Sequence, residues 1–298
     1  MASSSAAGRH ARGLAGAVAI SIGILVVEVI AGIIGNSLAL LADASHMFAD
    51  VSGMLLSLLA VRLAARPRTD ERTYGLYRLE ILAAAANGVL LLLIAAFVAW
   101  EAIQRLASPP EVKPELVTVV AAAALVANLV SIRLLAAGRQ ESLNIRGAYL
   151  EVLGDLLGAG AVLVSGIVIL LTGWQQADAV ASLVVAALIV PRTAFLLRDS
   201  IDVLLEATPR NVDLDHVRGH ILDAPGVLDV HDLHAWTITS GMNVVSAHVV
   251  LGSDAQAGDV LDHLSTCLAD DFDVDHSTFQ LETPEHVAWE ARAQRPQH

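Results

Sequence analysis

Two pairs of metal-ligating side chains stand four residues apart in otherwise apolar stretches of the chain. His46 and Asp50 form the first pair, and Glu151 and Asp155 form the second. Residues at positions i and i+4 lie one above the other on the same face of an α-helix. Two helices that each present such a pair at similar depth can close a four-ligand site of nitrogen and oxygen donors. That donor set suits zinc and similar divalent ions.

A buried His or Asp can also serve as a plain hydrogen-bonding link between two helices, which needs no metal. Three carboxylates in one low-dielectric place repel one another, however, unless a cation or protons neutralise them. Two matched pairs on separate stretches therefore favour a metal site over unrelated hydrogen bonds.

The composition indicates that helices in a membrane must position these residues. The 298 residues are 55% hydrophobic, 16% charged and only 4% aromatic, with a mean hydropathy of +0.61. Soluble domains carry about a quarter charged residues, so an ordinary cytosolic enzyme is a poor match and a disordered chain is excluded. The shortage of aromatic residues argues against a membrane β-barrel.

Six apolar stretches reach the roughly 20 residues that a membrane-spanning helix needs. They are residues 14–34, 38–61, 79–104, 115–137, 147–172 and 177–197. Arginines cluster before the first stretch, between the second and third, between the fourth and fifth, and after the sixth, whereas the opposite loops hold only Arg105 and Lys113. Because positive residues favour the cytoplasmic side, we expect both termini to lie in the cytoplasm.

The last third of the chain has a different character. Residues 200–298 hold 17 acidic and 4 basic residues, whereas residues 1–199 hold 14 of each. The net charge of −13 therefore sits in the C-terminal part, which argues against a nucleic-acid partner. The single cysteine, Cys267, excludes an intrachain disulfide and a thiolate metal cluster.

The C-terminal part predicts a small α+β sandwich. Its pattern gives helix, strand, strand, helix and strand at about 211–223, 227–239, 243–251, 256–270 and 275–282, with a hairpin turn at Ser240-Gly241. Both helices would pack on one face of a three-stranded sheet. The predicted domains are a cytoplasmic N-terminal tail (1–13), a six-helix transmembrane domain (14–199), a cytoplasmic domain (200–285) and a C-terminal tail (286–298).

Several motifs, in order along nearly the whole chain, resemble those of the cation diffusion facilitator family of divalent metal/proton antiporters. The run from Asn36 to Asp50 resembles that family's second span, and Tyr74 to Glu80 resembles the start of its third. Glu151-Val-Leu-Gly-Asp155 is similar to its fifth span. Two further segments resemble its cytoplasmic domain, Val230 to Trp236 and Ser246 to His248.

The resemblance implies a multi-pass helical protein of the cell membrane with a cytoplasmic ferredoxin-like domain, acting as a homodimer in the lipid bilayer. It implies export of Zn²⁺ from the cytoplasm in exchange for protons by alternating access, with no organic cofactor. His46, Asp50 and Asp155 fit the family's transport site. Glu151 departs from it, because the zinc branch usually has His there. A carboxylate hardens the site, so Co²⁺, Cd²⁺, Mn²⁺ and Fe²⁺ stand beside zinc as candidates.

The resemblance also implies that His231, His248 and Glu282 bind a regulatory metal in the cytoplasmic domain, with His276 as a further ligand. His276 and Glu282 are six residues apart on one predicted strand, which separates them by about 20 Å. His276 can therefore join the site only if it lies beyond the strand start or bends back.

Two other functions compete with transport. An intramembrane metal-dependent enzyme could use the same four ligands, but the chain has no His-Glu-x-x-His, Gly-x-Ser-x-Gly or phosphate-binding glycine loop. A passive metal sensor or scaffold would need only the acidic C-terminal domain and would leave the intramembrane carboxylates unexplained.

Overall fold

The computed structural model describes residues 11–136 and 143–293, which form two compact units. The first unit runs up to Leu58 and continues over Ala84–Leu197, and the second holds Leu59–Ala83 and the chain from Arg198 onward. Residues 1–10 of the predicted N-terminal tail, the predicted connection at 137–142 and residues 294–298 of the predicted C-terminal tail lie outside the described part.

The described residues form nine helices and three strands. In chain order they are α1 (Ala11–Gly35), α2 (Leu38–Ala64), α3 (Leu79–Ala107), α4 (Pro114–Ala136), α5 (Leu143–Thr172), α6 (Gln176–Leu204), α7 (Leu214–Leu222), β1 (Val227–Thr239), β2 (Met242–Leu251), α8 (Ala257–Phe272), β3 (Val274–Glu282) and α9 (Pro284–Ala293).

Helices α1 to α6 are each long and apolar enough to cross a membrane. Large apolar side chains stay exposed along them, with Leu171 at 80% and Ile33 at 67% exposure. Apolar surface on this scale is costly in water but favourable against lipid. The prediction of a multi-pass helical membrane protein is confirmed.

The helices that carry the two ligand pairs, α2 and α5, approach each other closely at Gly158. A Cβ atom at this position would lie 2.6 Å from Asp43 Oδ1. No real side chain tolerates that distance without a shift in its neighbour, so a glycine here lets α5 approach the face of α2 that also carries Asp50.

The beginning of α2 is fastened to α6 by a buried carboxylate. Asn36 adopts a left-handed conformation at φ 53° and ends α1, after which the chain turns directly into α2. Asp178 of α6 accepts hydrogen bonds from Ser37 Oγ at 2.5 Å and from Leu38 N at 2.7 Å. Because the first N–H groups of a helix have no partner within the helix, Asp178 supplies an N-terminal cap from another helix.

The second unit contains a three-stranded sheet of order β1-β2-β3. Strands β1 and β2 form an antiparallel hairpin whose turn holds Gly241 at φ 74°, and β2 pairs with β3 in parallel. Val245, Ala247 and Val249 alternate along β2 and share one apolar core with Ile221 of α7 and Leu264 of α8. The predicted helix and strand order and the α+β sandwich are confirmed.

The short helix α9 follows β3 and occupies most of the segment predicted as a tail from residue 286. Thr283 precedes it, and its Oγ1 accepts a hydrogen bond from His286 N at 3.3 Å. Pro284 stands at the first helical position, where its missing N–H costs nothing. The pKa of Glu285 is lowered by hydrogen bonds from its own backbone N–H and from Thr283.

Candidate metal centres

The first candidate centre joins α2 and α5 within the helical unit. His46 Nε2 lies 3.4 Å from Asp50 Oδ2 and 4.0 Å from Asp155 Oδ1. All three ligand atoms lie within 4.8 Å of one another. A tetrahedral ion with bonds of about 2.1 Å holds its ligand atoms about 3.4 Å apart. The spacing of these three atoms is therefore close to what one divalent ion requires.

Two polar atoms of this centre, Asp155 Oδ1 and His46 Nδ1, are buried and have no hydrogen-bond partner among the residues that the structure describes. The Asp155 side chain is only 7% exposed. Most buried polar atoms in proteins have a partner, so an unpaired carboxylate oxygen facing an imidazole nitrogen is what an ion-binding position would leave.

Glu151 does not lie in the group of converging ligand atoms. Its Oε2 is 3.6 Å from the guanidinium of Arg192 on α6. Its carboxyl group is also close enough to that of Asp50 for the two to interact. Arg192 is absent from the site residues predicted from the sequence, although an arginine directly after Pro191 inside the sixth apolar stretch is a signal that could have identified it.

A cavity of about 460 Å³ opens onto the centre. Asp50, Glu151 and Asp155 contribute its acidic lining, and the remaining lining residues are mostly apolar. The cavity gives an ion or water a route to the carboxylates within the helical unit.

Two more carboxyl groups surround the centre. Asp43 of α2 and Glu28 of α1 are buried, with 3% and 1% exposure. Glu28 is close enough to Asp43 and Asp155 for their charges to interact, and within the described part of the chain its buried Oε2 has no hydrogen-bond partner. So many carboxyl groups in one interior need compensating positive charge, as protons or as a cation.

The second candidate centre lies on the sheet of the C-terminal unit. His231 of β1 and His248 of β2 are direct cross-strand partners. Glu282 of β3 reaches both, because its Oε2 lies 3.1 Å from His231 Nε2 and its Oε1 lies 2.7 Å from His248 Nδ1. His248 alternates with Val245, Ala247 and the other core residues of β2, so the centre lies on the sheet face opposite α7 and α8.

The carboxylate of Glu282 is almost completely buried, with a side-chain exposure of 1%. Gln280 Nε2 donates a hydrogen bond to its Oε1 at 2.7 Å and so fixes its direction. His248 Nδ1 is close to the same oxygen but is not aligned for a hydrogen bond. The two atoms therefore converge on a shared space, as co-ligands of one ion do.

His276 lies away from this trio. It pairs with Val244 in the parallel register, whereas Glu282 pairs with Val250. The His276 side chain is exposed, and its ring centroid is 6.4 Å from that of Tyr74. The bend that would bring His276 to Glu282 does not occur in the described strand.

This fold and these sites define a polytopic membrane protein with two candidate divalent-metal centres. Residues 14–205 match the model of the cation efflux transmembrane domain, and residues 209–284 match that of the cation efflux protein cytoplasmic domain. The chain therefore belongs to the cation efflux family.

Curated relatives agree over most of the chain. The cation efflux system protein CzcD of Alcaligenes sp. (strain CT14) is 43% identical over 92% of this chain and 87% of its own length. The cadmium, cobalt and zinc/H(+)-K(+) antiporter of Bacillus velezensis is 38% identical over 89% of this chain and 86% of its own. Zinc transporter ZitB of Escherichia coli (strain K12) is 37% identical over 92% of this chain and 88% of its own.

These matches confirm the family predicted from the motifs and make the protein a metal cation efflux transporter. The relatives are named as efflux systems, transporters and antiporters. Nothing in these matches supports the alternative of an intramembrane metal-dependent enzyme.

Proposed function

We propose that this protein exports Zn²⁺ from the cytoplasm in exchange for protons, using His46, Asp50, Glu151 and Asp155 as its transport site. The observation that carries the proposal is the convergence of one imidazole nitrogen and two carboxylate oxygens from α2 and α5 within 4.8 Å. Glu151 completes the set when it turns from Arg192 toward the ion.

The donor set also suits several other divalent ions. The relatives' names include zinc, cobalt and cadmium. One imidazole with three carboxylates is harder than a site rich in His, which keeps Mn²⁺ and Fe²⁺ as further candidates. Zinc is the first choice because imidazole and carboxylate are both good zinc donors.

Proton exchange follows from the chemistry of the ligands. A metal needs neutral His46 and ionised carboxylates, so binding displaces protons. When the helices expose the site to the other side, protons compete for the same atoms and release the ion.

The C-terminal unit acts, in this proposal, as a cytoplasmic dimerisation domain that binds a regulatory metal through His231, His248 and Glu282. The near-complete burial of Glu282 between two imidazoles supports that ligand set. The protein is then a homodimer of the cell membrane with both termini in the cytoplasm, a transport domain at 14–199 and a cytoplasmic domain at 200–285.

Flux measurements in proteoliposomes test the transport site. A zinc-sensitive dye inside the vesicles reports uptake driven by a pH gradient, and His46→Ala and Asp50→Ala should each abolish it. Glu115→Ala removes an exposed carboxylate at the start of α4 and should leave uptake unchanged. Full uphill transport by the Asp50→Ala protein would contradict the proposal, and turnover of a lipid or peptide would favour the enzyme instead.

Calorimetric zinc titration of the purified protein separates the two centres. Asp50→Ala should remove one binding event, and Glu282→Gln should remove the other. The same samples, measured by light scattering after size exclusion, should have the mass of a dimer. Loss of both events in the Glu282→Gln protein would show that the two centres are not independent.

A further inference from the structure

Arg192 places a permanent positive charge inside a membrane-spanning helix. It lies five residues before the end of the sixth apolar stretch at residue 197, which corresponds to about 7.5 Å along the helix axis. Charged residues inside spanning segments are costly, and they usually mark an ion pathway or pair with an opposite charge. Neither the proposed metal ligands nor the proposed proton exchange accounts for this residue.

The partner of Arg192 is a member of the proposed transport site. Its Nη2 lies 3.6 Å from Glu151 Oε2. The same charge also acts electrostatically on His46, Asp50 and Asp155. Arg192 therefore belongs to the surroundings of the whole site as well as to one ion pair.

The formal charges of the four ligands and the ion show what the guanidinium contributes to the site. One neutral imidazole and three ionised carboxylates carry a charge of about −3, which a divalent ion reduces to about −1. For these four ligands, counted without the buried Asp43 and Glu28, the guanidinium offsets that remainder. Unlike a carboxyl group or an imidazole, it keeps its charge at every physiological pH. The guanidinium and a bound ion both attract the carboxylate of Glu151, so they compete for it.

We propose that Arg192 is a positioning residue that holds Glu151 when the site is empty and so limits how tightly the site binds a divalent ion. This inference rests on the proposed transport site. Ion binding draws the Glu151 carboxylate away from the guanidinium, and the return of Glu151 to Arg192 assists release. Arg192 sets affinity through Glu151 and does not itself bind the metal.

The test measures KM and maximal rate for zinc and for cobalt in proteoliposomes. Arg192→Gln should lower both KM values by about two- to fivefold, the effect of removing one partly exposed charge interaction, and should lower the maximal rate because release slows. Arg192→Lys keeps the charge and should restore KM. Arg198→Gln is the matched control, because it removes the same charge from the same helix beside Asp202, and it should change neither constant.

A double-variant cycle tests the route through Glu151. The change in KM caused by Arg192→Gln should shrink when Glu151→Gln is already present, since no carboxylate is then released. An equal change in both backgrounds, or a loss of rate with unchanged KM that Arg192→Lys does not restore, overturns the inference. If the Arg192→Gln protein does not fold, the KM of the Arg192→Lys protein becomes the test. A KM more than tenfold above that of the unmodified protein overturns the inference.

The Asp50→Ala protein keeps this failure distinct from failure of the proposed function. Uphill transport by that protein would refute the transport site itself. An inactive Asp50→Ala protein together with an unchanged KM in Arg192→Gln would refute only the role of Arg192.

Discussion

Replacing Asp178 by Ala is expected to destabilise the protein, because Asp178 caps the helix that carries His46 and Asp50. The carboxylate accepts hydrogen bonds from Ser37 Oγ and Leu38 N at 2.5 and 2.7 Å, and it has a longer contact of 3.4 Å with Ala39 N. Asp178 is buried, so water has little access to the groups that the substitution would leave unpaired.

The magnitude follows from those contacts. A hydrogen bond to a charged group contributes about 1.5–3 kcal/mol, and loss of a helix N-cap costs about 0.5–2 kcal/mol. The two short bonds would together give about 3–6 kcal/mol, but Ala also relieves the cost of burying the carboxylate. We expect a loss of about 2–4 kcal/mol for Asp178→Ala, and about half of that for Asp178→Asn, whose amide oxygen still accepts one bond.

Thermal unfolding of the purified protein in detergent measures this effect. At about 2–4 °C per kcal/mol, the midpoint of Asp178→Ala should fall by about 4–16 °C, and that of Asp178→Asn by less. Glu111→Ala, at an exposed position before α4, should leave the midpoint unchanged. An Asp178→Ala midpoint equal to that of the unmodified protein would refute the reasoning, because the bonds described here would then contribute nothing.

Two further outcomes can be checked independently. Glu151→His should make transport more selective for zinc over manganese and iron, because imidazole is a softer donor than carboxylate. If parallel flux assays give the same relative rates for these metals as the unmodified protein, residue 151 does not determine metal selectivity. Burial and the nearby charge of Asp271 raise the pKa of the Cys267 thiol above its ordinary 9.0. The rate of iodoacetamide labelling should therefore still rise beyond pH 9. A rate that levels off below pH 9 would contradict the raised pKa.

The membrane helices were predictable because length and hydropathy are local properties of a sequence. The predicted stretch 147–172 lies within the observed Leu143–Thr172, and 79–104 lies within Leu79–Ala107. The structure extends these helices beyond their apolar parts, since a helix continues into polar surroundings wherever no residue ends it. The turn at Gly241 was predictable for a similar reason, because glycine readily adopts a positive φ.

Spacing within one helix also predicted which donors come together. His46 and Asp50 had to share a face of α2, and only the meeting of that face with Asp155 depended on tertiary packing. Contacts between residues far apart in the sequence could not be predicted in this way. Asp178 caps a helix that begins 140 residues earlier in the chain, and no local pattern distinguishes such a cap from a carboxylate that lines a cavity.

Helix α9 was missed although its signal is local. The sequence Thr283-Pro284-Glu285 combines a capping residue, a proline suited to the first turn and an acidic residue favoured by the helix dipole. The segment carries little apolar periodicity, however, and periodicity is the signal on which helix prediction chiefly depends.

A transporter must release its ion, whereas a structural metal centre need not. The residues around the proposed transport site affect both binding and release. The unpaired oxygen of Asp155 raises the free energy of the empty site and therefore favours binding. The ion pair of Glu151 with Arg192 lowers the free energy of the same empty site and therefore favours release. Affinity is the difference between these opposing contributions, so a substitution at Arg192 changes binding and release in opposite directions.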